Sequence, residues 1–133
     1  MADATDYLHV ELVAADRTVW SGEAEMVIAR TTEGDVGILH GHAPLLSLLT
    51  NAVVEIASVD HGVVIAAVDG GFLSVADNRV SVLSQEALLP EEIDVNEAKV
   101  ELEEARSMLG VNDDADRRLR HAETKIRAVE KAS

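Results

Sequence analysis

His40-Gly41-His42 sets two imidazoles one residue apart in this 133-residue chain. Neutral imidazoles are good ligands for divalent transition metals, and such a pair in a β-rich chain can open a metal site. To complete it, a carboxylate is needed about four or five positions later. Those positions hold Leu46 and Ser47, and no further segment pairing His with Asn lies downstream. Absence of cysteine excludes disulfide scaffolds, thiolate zinc sites and cysteine nucleophiles. No nucleophile stands beside a recognisable base, and no glycine-rich loop has the spacing that cradles phosphate. Bond-making chemistry is therefore not what these residues are arranged for.

Charge is the chemistry that remains. There are 25 acidic and 11 basic residues, a formal net of −14, which repels phosphate backbones and anionic lipid heads. The only aromatic residues are Tyr7, Trp20 and Phe72, too few for a stacking platform, so no nucleic-acid partner is expected. The balance is also segregated: residues 91–116 carry ten acids and two bases, residues 117–133 six bases and two acids. Arg117, Arg118, Arg120, Lys125, Arg127 and Lys131 make the last segment the one basic region. Two readings stand. Asp113–Arg117, Asp114–Arg118, Asp116–Arg120 and Glu123–Arg127 have the i, i+4 spacing of an ordinary solvated helix. Alternatively, the same cations form a docking face for an acidic protein surface.

The elements that must position these groups change character near Pro90, before which lie 14 of the 18 valines and every glycine except Gly110. Leu8, Val10 and Leu12 alternate with His9 and Glu11, the period of a half-buried strand. Short segments of the same kind follow at Thr18–Trp20, Met26–Arg30, Val53–Ala57, Val63–Val68, Phe72–Val75 and Val80–Leu83. Asp60-His61-Gly62, Asp69-Gly70-Gly71 and Asp77-Asn78 read as the turns between them. About ten short strands at this spacing predict an antiparallel β-sandwich or barrel.

After Pro90 the period becomes helical. Val95, Ala98, Leu102, Ala105 and Leu109 form one narrow stripe, with Asp94 as N-cap and Glu97 as the reciprocal partner of a capping box. Gly110-Val111-Asn112 ends this helix, and Leu119, Ala122, Ile126 and Val129 mark a second. The expected organisation is a β-sandwich over residues 1–89 followed by an antiparallel two-helix hairpin over residues 90–133. The hairpin's stripes hold few large side chains worth ~1.5–3 kcal/mol each on burial, against ~1.5 kcal/mol to order each residue. Such helices must lean on the sandwich or on a partner, which is the raw material of a switch.

The run Gly34-Asp35-Val36-Gly37-Ile38-Leu39-His40-Gly41-His42-Ala43-Pro44-Leu45-Leu46 resembles the G-E-x-G-I-L-P-G-H-A-P-L-L signature of the epsilon subunits of F-type ATP synthases. Trp20-Ser21-Gly22 is similar to that family's early turn, Asp69-Gly70-Gly71-Phe72-Leu73-Ser74-Val75 to its glycine-pair strand, and Ile93-Asp94 to the start of its helical segment. The likeness spans nearly the whole chain in the right order. It implies a non-catalytic central-stalk subunit without a cofactor, coupling rotation of the c-ring to ATP synthesis. Its implied partners are the gamma subunit, the ring of c subunits and, when the hairpin extends, the catalytic beta and alpha subunits. In the family the extended hairpin restrains ATP hydrolysis. The resemblance places Asp35, Ile38, Leu39 and His42 at or near the c-ring contact. It gives Arg117, Arg118, Arg120, Lys125 and Arg127 the sign for docking on the catalytic head.

Two departures matter. His40 stands where the signature has Pro, which loosens this segment and adds a group that titrates near neutrality. Some members bind ATP through I/L-D-x-x-R-A; here Ile93-Asp94-Val95-Asn96-Glu97-Ala98 has Glu97 in place of the Arg, leaving Asp94 at most and predicting weak or absent nucleotide binding. The expected location is the cytoplasmic face of a bacterial plasma membrane, peripheral and through the complex alone. That expectation rests on a sequence with no apolar run of the ~20 residues needed to span a bilayer and no signal-peptide pattern. The competing reading is a small cupin-like metal-binding β-barrel using His40 and His42.

Overall fold

The computed structural model describes residues 7–132; residues 1–6 of the expected first domain and Ser133 lie outside the described residues. The strands are β1 (Leu8–Ala14), β2 (Arg17–Thr31), β3 (Gly34–Leu39), β4 (Leu45–Ser58), β5 (Val63–Ala76), β6 (Arg79–Leu83) and β7 (Ala87–Leu88). A 3-10 turn at Pro90–Glu92 leads to α1 (Val95–Ser107) and α2 (Ala115–Ala132).

β1 shows why the sheet forms: Leu8, Val10 and Leu12 are buried while His9 and Glu11 face outward. It pairs antiparallel with β2 and parallel with β6. From β6 the pairing continues through β5 and β4 back to β2, so the sheet closes on itself as a flattened barrel with two packed layers. Closure leaves few free edges, the chief one being β3, which pairs only with β2. Leu8, Leu12, Ile38, Ile56 and Leu73 fill the space between the layers, each fully buried.

Seven strands are present among the described residues, roughly the expected number, several of the expected short segments having fused. Thr18–Trp20 and Met26–Arg30 both belong to β2, and Val53–Ala57 is the second half of β4. The signature run from Gly34 begins with β3. Most informative is Asp69-Gly70-Gly71, which is not a turn: β5 runs straight through it. Gly70 and Gly71 adopt φ of 72° and 106°, and this local distortion bends the strand without reversing it, so one strand serves both layers. At Asp77-Asn78, by contrast, φ of 50° and 63° makes the expected tight hairpin.

The hairpin is folded against the sandwich: α2 lies on β4 and β5, and α1 packs chiefly on α2. The Asp94 carboxylate caps α1 by accepting from the Glu97 N–H at 3.1 Å; Glu97 makes no return bond among the described residues, so half of the capping box is present. Gly110, at φ 83°, turns the chain out of α1. On α2 the buried residues are Ala115, Ala122, Thr124 and Ala128. Of the expected stripe only Ala122 is fully buried; Leu119, Ile126 and Val129 are half-buried. The reason lies beneath, in β5. Ala66 and Val68 point into the main core, while Ile65 and Ala67 face the other way and meet Ala128 with Val53 and Ile93. Small residues on both sides let helix and sheet approach closely.

A Cβ on Gly71 would overlap the Leu83 carbonyl oxygen and sit 2.8 Å from Ser84 Cα, at a φ that already strains any L residue. Gly71→Ala is expected to cost more than ~2 kcal/mol in urea unfolding, whereas Gly37→Ala should change stability by no more than ~1 kcal/mol. Around Gly37 no heavy atom lies within 4 Å of a built Cβ. Equal midpoints for the two variants would show that the β5 bend is dispensable.

Candidate functional site

Three surfaces hold the functional candidates. The first is the edge strand β3. Asp35 and Arg30 are register partners across the β2–β3 hairpin, and Arg30 donates from Nε to Asp35 Oδ1 at 2.8 Å and from Nη2 to Oδ2 at 3.3 Å. This fork holds the Asp35 carboxyl below its usual range and raises the Arg30 guanidinium. Ile38 is fully buried and supports the surface from below, while Leu39 is 57% exposed. His42 follows the strand, its Nδ1 2.6 Å from the Ala43 carbonyl oxygen, and the Gly41 N–H donates to Asn78 Oδ1 at 2.6 Å, tying this end to the β5–β6 turn. Asp35 and His42 thus lie toward opposite ends of a strand ~20 Å long. They define a strip and not a point. Among the described residues no three His, Cys, Asp or Glu side chains gather as a metal site, so no third ligand joins His40 and His42.

The second surface was missed in the sequence. Leu48 pairs with Phe72 and Phe72 with Leu83 across β4, β5 and β6, and all three are exposed together with Leu46. The signal was available: Leu45-Leu46-Ser47-Leu48-Leu49 puts leucine on both faces of one strand, where a single buried face needs alternation. Singly exposed leucines need no explanation, but a cross-strand cluster marks an interaction surface.

The third is the seam between α2 and the sheet. Asn51 and Asp69 are register partners on β4 and β5, and Asn51 Nδ2 donates to Asp69 Oδ1 at 2.7 Å. From α2, Arg117 donates to Asp69 Oδ2 at 3.0 Å, and buried Thr124 donates to the Asn51 carbonyl oxygen at 3.1 Å. His121 lies between Glu86, 2.6 Å from its Nε2, and Asn51 Oδ1, 3.3 Å from its Nδ1. Lys131 reaches Glu55 at 3.4 Å near the end of α2, and Lys125 ties α2 to Glu101 of α1 at 2.8 Å. Arg17, at the start of β2, binds Glu92 at 2.6 Å where the hairpin begins.

The expected basic face therefore divides. Arg117 and Lys125 are engaged by the sandwich and by α1. Arg118 and Arg120 pair along their own helix with Asp114 and Asp116, at 3.0 and 2.8 Å, as the spacing predicts. Arg117 takes Asp69 and Asp114 in place of Asp113, and Arg127 has no ion pair among the described residues, so the expected Glu123–Arg127 pair is not formed. Arg127 instead lines a cleft with Arg30, Asp35 and Lys131. No described helix is long and apolar enough to cross a membrane.

With this geometry in hand, comparison with known proteins is direct. Residues 7–90 match the family model described as the ATP synthase, Delta/Epsilon chain, beta-sandwich domain. The ATP synthase epsilon chain of Streptomyces griseus is 53% identical over 123 residues, covering 92% of this chain and 94% of that protein. The epsilon chain of Nocardia farcinica is 41% identical over 133 residues, covering 99% and 97%. Among solved structures, a chain of the Euglena gracilis mitochondrial ATP synthase superposes with a TM-score of 0.77 at 26% identity, covering 98% of this chain and 84% of that one. A chain of the Tetrahymena thermophila central stalk and c-ring gives 0.56 at 16% identity, covering 94% and 95%, a likeness of fold alone.

The Arg17 guanidinium and then the Leu89 N–H hold the Glu92 carboxyl below its ordinary value. A depressed acid contributes stability above its unfolded-state pKa, and that contribution is lost as pH falls through the folded-state value. Glu92→Gln is accordingly expected to cost ~0.5–1 kcal/mol at neutral pH, the pair being partly exposed. In urea titrations the gap from the unsubstituted chain should close as pH falls below the carboxylate range; a constant gap would assign the loss to packing.

Proposed function

The chain belongs to the ATP synthase delta/epsilon-chain family, and on that premise we propose how this non-catalytic subunit works as part of a bacterial central stalk. The sandwich joins rotor parts. The apolar cluster of Leu46, Leu48, Phe72 and Leu83 docks the gamma subunit, and the β3 strip meets the polar loops of the c-ring through Asp35, Leu39 and His42, with Ile38 as their support. The subunit is then peripheral, held at the cytoplasmic face of the plasma membrane through its complex. The Euglena gracilis assembly, whose matching chain is 26% identical, is described as containing the c-ring, which supports the rotor reading.

The hairpin is the regulatory part. The observation that carries this reading is the way α2 is attached: its buried residues are three alanines and a threonine, its larger apolar side chains are only half-buried, and polar contacts make up much of the seam. Such an interface is readily exchanged for another. In an extended state Arg118, Arg120 and Arg127, with Arg117 and Lys125 once released, meet acidic surface on the catalytic beta and alpha subunits and restrain hydrolysis. Exposed helix pairs such as Arg118–Asp114 are worth only ~0–1 kcal/mol, so a partner can replace them. Several such contacts together move a two-state element by a few kcal/mol.

ATP hydrolysis by the cognate catalytic head tests this. The full chain is expected to inhibit, a chain ending at Leu89 to bind gamma without inhibiting, and Arg118→Glu with Arg120→Glu to lose inhibition at matched occupancy. Equal inhibition by the doubly substituted chain would remove the basic face from the mechanism. Equal small effects of full and truncated chains, both bound, would leave a rotor adaptor.

For nucleotide the same residues argue the other way. Asp94 is used as a helix cap, and Glu97 puts a carboxylate where phosphates would need a cation. Calorimetry of the isolated chain is expected to show no binding at micromolar ATP; a clear saturable signal would overturn this.

A further inference from the structure

We propose that docking of the hairpin is coupled to protonation of His121, so that the docked state holds one proton more than the released state. The inference rests on which atoms face which. A carboxylate offers only acceptors. Asp69 Oδ1 lies 2.7 Å from the Asn51 amide, which must therefore present its nitrogen to Asp69. Reversing the amide would set a carbonyl oxygen against a carboxylate oxygen at that distance. With the nitrogen so fixed, the other end of the amide, the oxygen, is what His121 Nδ1 meets at 3.3 Å. On the opposite side of the ring, Nε2 meets the Glu86 carboxylate at 2.6 Å. Both ring nitrogens thus face acceptors. A neutral imidazole carries one N–H and leaves its other nitrogen lone pair to lone pair with an oxygen; the imidazolium satisfies both contacts.

The surrounding charges point the same way. From the sandwich, Glu86, on the segment between β6 and β7, meets the ring directly, and Asp69 on β5 shares Asn51 with it. From α1, Glu101 and Glu104 line the same cleft. From α2 itself the cations are Arg117, Arg118 and Lys125. Each of them is already paired: Arg117 with Asp69 and Asp114, Arg118 with Asp114, Lys125 with Glu101. Glu86 has no cationic partner other than His121 among the described residues. The imidazolium is the charge that balances it.

Released from the sheet, the ring leaves both acceptors for water, and nothing then favours its second proton. The docked state then binds more protons than the released one, so docking is strongest on the acid side and weakens as pH rises, by at most ~10-fold per pH unit for one proton. Beside small apolar groups, α2 is held to the sheet by Arg117 to Asp69, Thr124 to Asn51 and Lys131 to Glu55, so the proton on His121 adds to only a few polar contacts. Its effect on hydrolysis rests on the regulatory reading above, with restraint strengthening at higher pH; the docking equilibrium itself does not depend on that reading.

The test uses the isolated full chain, so it is independent of any catalytic head. Amide hydrogen exchange is followed between about pH 6 and 8.5, corrected for intrinsic rates. Amides of α2 report docking and those of β1 and β6 report the sandwich. Protection in α2 is expected to fall across the range, by no more than ~10-fold per pH unit, while the sandwich stays constant. His121→Gln should remove the pH dependence. Nitrogen-15 spectra of the docked ring should show both nitrogens protonated at pH 6. Flat α2 protection in the unsubstituted chain, the same slope in His121→Gln, or a single ring proton in the docked state would each overturn the proposal. Should His121→Gln fail to fold, Glu86→Gln takes its place; it is expected to flatten the slope, and an unchanged slope counts against the latch.

Discussion

Strand β5 has to satisfy two interiors at once, and much of the architecture follows. Ala66 and Val68 face the sandwich core while Ile65 and Ala67 face α2, so residues 65–68 are all buried. A strand buried on one face alternates; a strand buried on both reads as continuous apolar chain. Farther along, the same strand passes Gly70 and Gly71 and enters the region where its outward residue, Phe72, is exposed. The bend therefore divides β5 into a part covered by the hairpin and a part left open. Leu48 and Leu83, the neighbours of Phe72, are open for the same reason: α2 does not extend over them.

That double use sets the strength of the hairpin's attachment. Ala67 leaves room for close approach only if α2 also presents small residues, and it does so with Ala128. The apolar gain is then a methyl group or two at each contact, ~0.8 kcal/mol per buried carbon. A helix carrying leucines on that face would be held more tightly and would be harder to release. Specificity passes instead to the polar seam, where Asn51 and Asp69 on adjacent strands fix the positions of Arg117, His121 and Thr124. Buried polar seams favour one register because a shifted helix would leave their donors and acceptors unpaired.

What was legible in the sequence follows from the range of the forces involved. Alternation in β1, the Asp94 cap, the Asp77-Asn78 turn and the i, i+4 pairs Asp114–Arg118 and Asp116–Arg120 are decided within a few residues, and all are present. Strand spacing and the two helical stripes carried the fold class, and the signature carried the family. Errors arose where distant contacts decided the outcome. Asp69-Gly70-Gly71 has turn composition, yet the close approach of Leu83 and Ser84 makes it a bend within a strand. Leu119, Ile126 and Val129 have the right helical spacing, but the sheet beneath selects alanines. The partners of His121 lie 35 and 70 residues away in sequence, and local pattern cannot reveal them.

The segregation of charge now has a structural meaning that the sequence left open between a solvated face and a docking face. The chain's basic segment is neither wholly free nor wholly used. Arg117, Lys131 and, when protonated, His121 face acids of the sandwich, and Lys125 faces an acid of α1. These groups favour the compact hairpin, and any acidic partner must compete for them. Arg118 and Arg120 bond only within their helix, and Arg127 forms no ion pair among the described residues, so all three are available in either state. A substitution at Arg117 or Lys125 consequently removes a contact that holds the compact hairpin. A substitution at Arg118 or Arg120 leaves the contacts with sandwich and α1 in place, so under the proposed exchange its effect falls on the partner side alone.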